Sequence, residues 1–369
     1  MQTENLKRTP LYNRHVELGG KIVPFAGWEL PVQYSGVIPE HQAVRERAGL
    51  FDVSHMGEVF VTGPEAEKAI DFLTCNDVKT LTDGKAQYSA IINEKGGVVD
   101  DIIVYRYSAR KYLICVNASN SDKDFQWFLD HNRFDADFTN KSARYGQIAL
   151  QGPRAVKILS SLPGLGDIGN LQYFHFQNRD VVGSEVIVAR TGYTGEDGYE
   201  LFIPWDDTVK IWDAVLEAGM PEGLVPAGLG ARDSLRLEAC LPLHGHELGD
   251  DISAYESGLG WIVKLNKGDF FGKEALAQQR TAGAPRGLVG FYVEDAGIVR
   301  HGDKLFSEAG EEIGLTTSGT KTPTVNRALG LGIVKSAFVK EGTPLFAEVR
   351  GRKLRCQVVK KPFYKRPSA

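Results

Sequence analysis

The chain has 369 residues, 42% hydrophobic and 24% charged, a globular balance with room for two or three domains and a sizeable core. Its formal net charge of -4 offers no electrostatic footprint for nucleic acid, and no apolar run approaches the roughly 18 residues of a membrane span. Cys75, Cys115, Cys240 and Cys356 form no CxxC pair, and "MQTENLKRTPLYNRHVEL" carries no apolar signal core; reduced thiols and a cytoplasmic location are expected, with a matured organellar protein as the alternative.

In chain order, periodicity predicts a helix over Ile38–Ala48, a strand over Gly57–Thr62 and a helix over Pro64–Leu73. Strands Tyr88–Asn93, Val98–Tyr107 and Lys111–Asn117 come next, then helix Ser121–His131, strand Tyr145–Gln151 and helix Pro153–Ser161. Strands Val181–Arg190 and Tyr199–Pro204 precede helices Asp206–Ala218, Pro226–Ala239 and Lys273–Arg280. Glycine, at 41 residues, is scattered through apolar sequence, which implies tight turns and short strands. After Arg286 no helical period remains. "GLVGFYV", "GDKLFSEAGEEIG", "GLGIVK", "LFAEV" and "KLRCQVV" read as short strands joined by Gly turns, so an all-β barrel or sandwich is expected there.

Two carboxylates interrupt the apolar middle of strand 98–107. Alternation places Asp100 with Val98, Ile102 and Val104, and Asp101 with Val99, Ile103 and Tyr105, so the two cannot act as a pair on one site. Other motifs are weaker. "GDFFGKEAL" imitates a phosphate loop with one residue too few and Glu274 where Ser or Thr is needed; "GLGARDSL" lacks the third Gly of a dinucleotide fingerprint. Both read as helix starts. His244 and His246 match no standard metal spacing and read as structural, and no metal is expected. His55, between an expected helix and a strand, could line a site or cap an element. No Gly-x-Ser-x-Gly elbow or Cys/His nucleophile pattern is present.

"RTGYTGEDGYELFIP" is more informative. Glu196 and Asp197 fall in a turn and are expected to be solvated, whereas Glu200 lies on a strand facing the same way as Phe202. Beside Tyr193, it could accept two parallel N–H bonds from an amidine-like ring edge, or merely form a rim salt bridge. In "ARDSLRLEA", Arg232 and Arg236 share one helical face; Asp233 can relieve Arg236, leaving Arg232 for Glu200, for an anionic ligand group or simply for a solvated helix face.

Together these stretches resemble the folate-dependent aminomethyltransferases, the T-proteins of the glycine cleavage system. The matching pieces are "TPLYNRHVELGGKIVPFAGWELPVQY", "RERAGLFDVSHMGE", "NEKGGVVDDIIVY", "RTGYTGEDGYE", "GLGARDSLRLEACLPLHGHEL", "KGDFFGKEAL" and "GLGIV", in family order from near Thr9 to the closing "PFYKR". The resemblance implies an α+β fold, a three-domain, cloverleaf-like arrangement around a central folate channel with an all-β third domain. The implied domains are 1–54 with about 140–180 and 243–282, then 55–139 with about 181–242, then 283–369. The implied reaction takes the aminomethyl group on the lipoyl arm of the H-protein and transfers its one-carbon unit to tetrahydrofolate. Ammonia is released, leaving 5,10-methylenetetrahydrofolate and a dihydrolipoyl arm.

The family's catalytic aspartate matches Asp101. Glu200 matches the residue that grips the pterin; Tyr88, Tyr193 and Met56 match positions lining its pocket. Arg232 matches a substrate-contacting arginine, Asn117 and Tyr105 match channel positions, and Arg366 matches a C-terminal contact. Two relatives keep the fold and change the task. Folate-binding proteins that assist iron–sulfur enzymes resemble one another through "KGCYxGQE", where this chain has Asp269 in place of the cysteine. Folate-dependent demethylases share the scaffold and are set aside only by the closeness of the motifs.

Overall fold

The structure, a computed structural model, describes residues 6–367 as a mixed α+β chain. Its packing divides into two units. One runs up to Ala69 and includes Val78–Gln87 and Ile102–Asp233; the other holds Ile70–Asp77, Tyr88–Asp101 and what is described from Ser234 onward.

In the first unit, a six-stranded sheet runs in the order Phe176–Val181, Ser184–Ala189, Gly198–Pro204, Tyr145–Gln151, Ala48–Asp52, Leu224–Pro226. Strand alternation sorts its side chains between two cores. Tyr199, Leu201 and Ile203 join Ile148, Leu150, Val186 and Val188 against helices Ala155–Ser160 and Thr208–Gly219, which contribute Ile158, Leu159, Ile211 and Trp212. On the other face, Ile187, Ala189 and Phe202 pack against Phe60, Tyr105, Leu113 and Cys115 of a second sheet. That sheet includes Lys111–Val116, Gly57–Thr62 and Asp137–Asn140, with Tyr105 supplied by the part of strand Val98–Ser108 that lies in this unit. Glu200 thus shares the inter-sheet face with Phe202, as its spacing predicts.

Two segments differ from expectation. Val181–Arg190 is not one strand but the end and return of a hairpin. Val182 and Gly183 turn the chain at φ 54° and 78°, and Asp180 accepts the Gly183 N–H at 2.9 Å. The first predicted helix stops at Glu46, and Ala48–Asp52 is a strand whose five residues are all buried, so it shows no alternation.

In the second unit, six strands close into a barrel in the order Arg286–Val293, Ala328–Lys335, Glu312–Lys321, Lys304–Phe306, Pro344–Val349, Arg352–Val359. Phe291, Leu305, Leu345, Ala347 and Cys356 fill its interior. The expected barrel or sandwich is therefore a barrel, and "GDKLFSEAGEEIG" is divided between two of its strands. The residue just before the phosphate-loop look-alike has a structural role. Lys267 is buried, and its ammonium donates to the carbonyls of Thr74 and Asn76 at 2.7 and 2.9 Å, past the end of helix Ala66–Leu73. A cation there complements the carbonyl end of the helix. Among the described residues, no helix is long and apolar enough to cross a membrane.

Candidate functional site

The first unit gathers Glu200, Tyr193, Arg232 and Tyr105. Glu200 Oε2 accepts from the Thr191 hydroxyl at 2.5 Å, and Oε1 accepts from Gln147 Nε2 at 3.2 Å. Burial pushes the Glu200 pKa up, while Thr191, the Arg232 charge and Gln147 pull it back. The preceding turn is built on Gln151, whose amide donates to the Thr191 carbonyl at 3.1 Å and accepts from the Thr194 hydroxyl at 2.9 Å. A Cβ at Gly192 would lie 2.0 Å from Gln151 Oε1, so only glycine admits this packing.

Glu196 and Asp197 are not solvated as expected. Arg45 meets Glu196 at 2.8 Å with both side chains only 5% exposed, and Arg190 takes Asp197 through two bonds of 3.0 and 2.6 Å. These pairs pin the turn from outside, which leaves Glu200 to face inward.

The Arg232 guanidinium lies over the Tyr193 ring, 4.7 Å from its centre. It also borders a small cavity with Leu30, Phe51, Asp52 and Gly228. His55 follows strand Ala48–Asp52 rather than a helix. It is buried, stacks edge-on with Phe25 at 5.6 Å, and its Nδ1 has no hydrogen-bond partner among the described residues. Burial and the nearby Arg232 charge push its pKa down to about 3, so it is neutral across the physiological range. Asp52 resists the upward push of burial because His15 (2.8 Å), Ser54 N–H (2.9 Å) and Thr9 (2.7 Å) surround it, holding its pKa below the usual range.

Met56 is partly buried against the inter-sheet core. Asn117 sits just beyond strand Lys111–Val116, at the start of the turn Ala118–Asn120. Tyr105 is wholly buried, edge-on to Phe176 and Phe202 at 5.4 and 5.5 Å, a wall of the core.

The second unit brings Asp101 and Tyr88 together: the Tyr88 hydroxyl donates to Asp101 Oδ2 at 2.8 Å. Asp101 is partly exposed, whereas Asp100 on the opposite face is 0% exposed. The opposed facing read from the sequence therefore separates a partly exposed carboxylate from a buried one. Arg366 lies exposed near the chain's end.

His246 and His301 each donate Nδ1–H to the Thr317 carbonyl at 2.9 Å, at a bulge between Thr316 and Ser318. Glu247 beside them is buried and paired with Arg236 at 3.0 Å. No cluster of three or more His, Cys, Asp or Glu suited to a metal occurs among the described residues. Sequence reasoning missed Thr191 and Gln147, which hold Glu200, and Trp261, whose ring stacks on Tyr88. Thr191 stood inside the informative motif. Gln147 and Trp261 carried no local signal.

A mixed α+β chain with a closed C-terminal barrel and two polar clusters built on sheet faces defines a recognisable class. The model of the GCVT N-terminal domain matches residues 11–267, and that of the glycine cleavage T-protein C-terminal barrel domain matches residues 286–365. The chain is 49% identical over 366 residues to the aminomethyltransferase of Lysinibacillus sphaericus (strain C3-41), covering 99% of each. It is 45% identical over 360 residues to that of Leptospira interrogans serogroup Icterohaemorrhagiae serovar copenhageni (strain Fiocruz L1-130), covering 97% of each. The crystal structure of glycine cleavage system aminomethyltransferase T from Bartonella henselae matches with a TM-score of 0.91 at 34% identity, covering 98% of this chain and 99% of that one. The chain belongs to the glycine cleavage T-protein family.

Proposed function

We propose that this chain is the aminomethyltransferase of a glycine cleavage system. It takes the aminomethyl group from the lipoyl arm of an H-protein, transfers the one-carbon unit to tetrahydrofolate and releases ammonia. The observation that carries this reading is full-length likeness, in sequence and fold, to aminomethyltransferases. No feature of the molecule favours the demethylase or the iron–sulfur-assisting role.

The residues fit a reduced folate. Each oxygen of Glu200 carries one donor and keeps a lone pair, so the carboxylate can still receive two adjacent N–H groups of a pterin edge. Tyr193, Tyr88 and Met56 supply flat or polarisable surface, Arg232 an anion partner, and Asn117, Tyr105 and Arg366 further contacts along the substrate. Asp101 is the catalytic carboxylate. As the aminomethyl carbon loses ammonia, positive charge develops there, and a fixed carboxylate stabilises it; preorganised groups of this kind contribute about 3–4 kcal/mol. Tyr88 fixes that carboxylate by donating to it. With this reading goes a division of the chain into three domains, the barrel region being the third.

Aminomethyl-lipoyl H-protein incubated with the purified chain should release ammonia rapidly only when tetrahydrofolate is present. Ammonia release indifferent to folate would overturn the reading.

A further inference from the structure

Trp261 is 63% exposed, yet its ring stacks on that of Tyr88, with centres 6.0 Å apart and planes 22° from parallel. Single exposed apolar side chains need no special explanation. This one lies against the ring whose hydroxyl holds Asp101. A tyrosine hydroxyl proton swings about its C–O bond, but the oxygen goes only where the ring carries it. The Tyr88 ring packs on a buried cluster that includes Cys75, Ala90 and Ile92, and Trp261 covers it as well. The Trp261 backbone is firmly rooted: Leu259, Ile262 and Val263 belong to that same cluster, and the Ile262 N–H donates to the Leu259 carbonyl at 3.0 Å. An indole on such a frame acts as a fixed plate.

We infer that Trp261 is a positioning residue: its indole clamps the Tyr88 ring, so that the Tyr88 hydroxyl keeps the Asp101 carboxylate in its reactive orientation. The inference rests on Asp101 being the catalytic carboxylate. A clamp of this kind acts on turnover and leaves substrate affinity alone. It also has no effect once the hydroxyl it aims has been removed.

The test is steady-state kinetics with aminomethyl-lipoyl H-protein and tetrahydrofolate on Trp261→Ala, Trp261→Phe, Tyr88→Phe and the double variant Tyr88→Phe/Trp261→Ala. Trp261→Ala should lower kcat about 3- to 10-fold, the size of an aromatic pair interaction. KM for H-protein and folate affinity should stay within about twofold. Trp261→Phe should recover most of the loss, and in the Tyr88→Phe background Trp261→Ala should cost nothing further. Melting temperatures establish that each variant is folded. Unchanged kcat in Trp261→Ala would overturn the inference. So would a raised KM for H-protein at intact kcat, or additive losses in the double variant. Asp101→Asn is measured alongside: if it is inactive while Trp261→Ala is normal, only the clamp fails; if it turns over normally, the role of Asp101 fails first.

Discussion

The Thr191 hydroxyl reaches Glu200 Oε2 at 2.5 Å and holds a carboxylate whose burial works against its charge. Thr191→Val keeps the shape and removes the donor. It is expected to weaken tetrahydrofolate binding about tenfold, in line with about 1.5 kcal/mol for a hydrogen bond to a charged group. Glu200→Gln should weaken it further, because a neutral amide cannot receive two pterin donors equally. Calorimetric titration with tetrahydrofolate reads both, and unchanged affinity in Glu200→Gln would remove Glu200 from the pterin site.

The Arg45–Glu196 pair is a stability element. With both side chains 5% exposed, Glu196→Ala takes a carboxylate from a buried guanidinium, which keeps its 2.8 Å bond to the Thr194 carbonyl, and is expected to cost about 3 kcal/mol in urea unfolding. Arg45→Met combined with Glu196→Leu should restore most of that. A double variant as unstable as the single one would show that the loss comes from packing rather than from an uncompensated charge.

Glu58 should give stability an unusual pH slope. It is wholly buried, and neither carboxyl oxygen has a hydrogen-bond partner among the described residues. Burial pushes its pKa well above the ordinary value, so the folded chain keeps a proton that the unfolded chain releases above about pH 4.3. The unfolded state then binds fewer protons, and stability falls as pH rises, by about 1.4 kcal/mol per unit up to the folded pKa. Glu58→Gln has no such proton. Its stability relative to the parent should therefore climb as pH rises above about 4.3 in denaturant titrations. Parallel pH curves would contradict this.

What the sequence revealed and what it hid divide along physical lines. Strands Gly57–Thr62 and Tyr145–Gln151 and helix Ser121–His131 have their predicted bounds, because local periodicity determines them. The facing of Glu200 and of Asp101 followed from the same two-residue alternation. The hairpin inside Val181–Arg190 was illegible because its turn puts the β-branched Val182 at positive φ before Gly183, where Asn before that Gly would have signalled it. Glu196 and Asp197 looked solvated because one partner, Arg45, is supplied by tertiary packing and the other, Arg190, gave no sign of pairing in the turn. Trp261 belongs with these: nothing local says that it will lie on Tyr88. The roles of the site residues came through resemblance, since spacing alone left Glu200 as either a ring-edge acceptor or a rim salt bridge.

The most direct test of the account is single-turnover ammonia release by Asp101→Asn, with folate affinity measured on the same preparation. Turnover about 100- to 1,000-fold below the parent is expected, with tetrahydrofolate affinity within about twofold and Asp100→Asn losing much less. An Asp101→Asn protein that releases ammonia within a fewfold of the parent rate, or equal losses from the two substitutions, would contradict the assignment of the charge-stabilising role to Asp101.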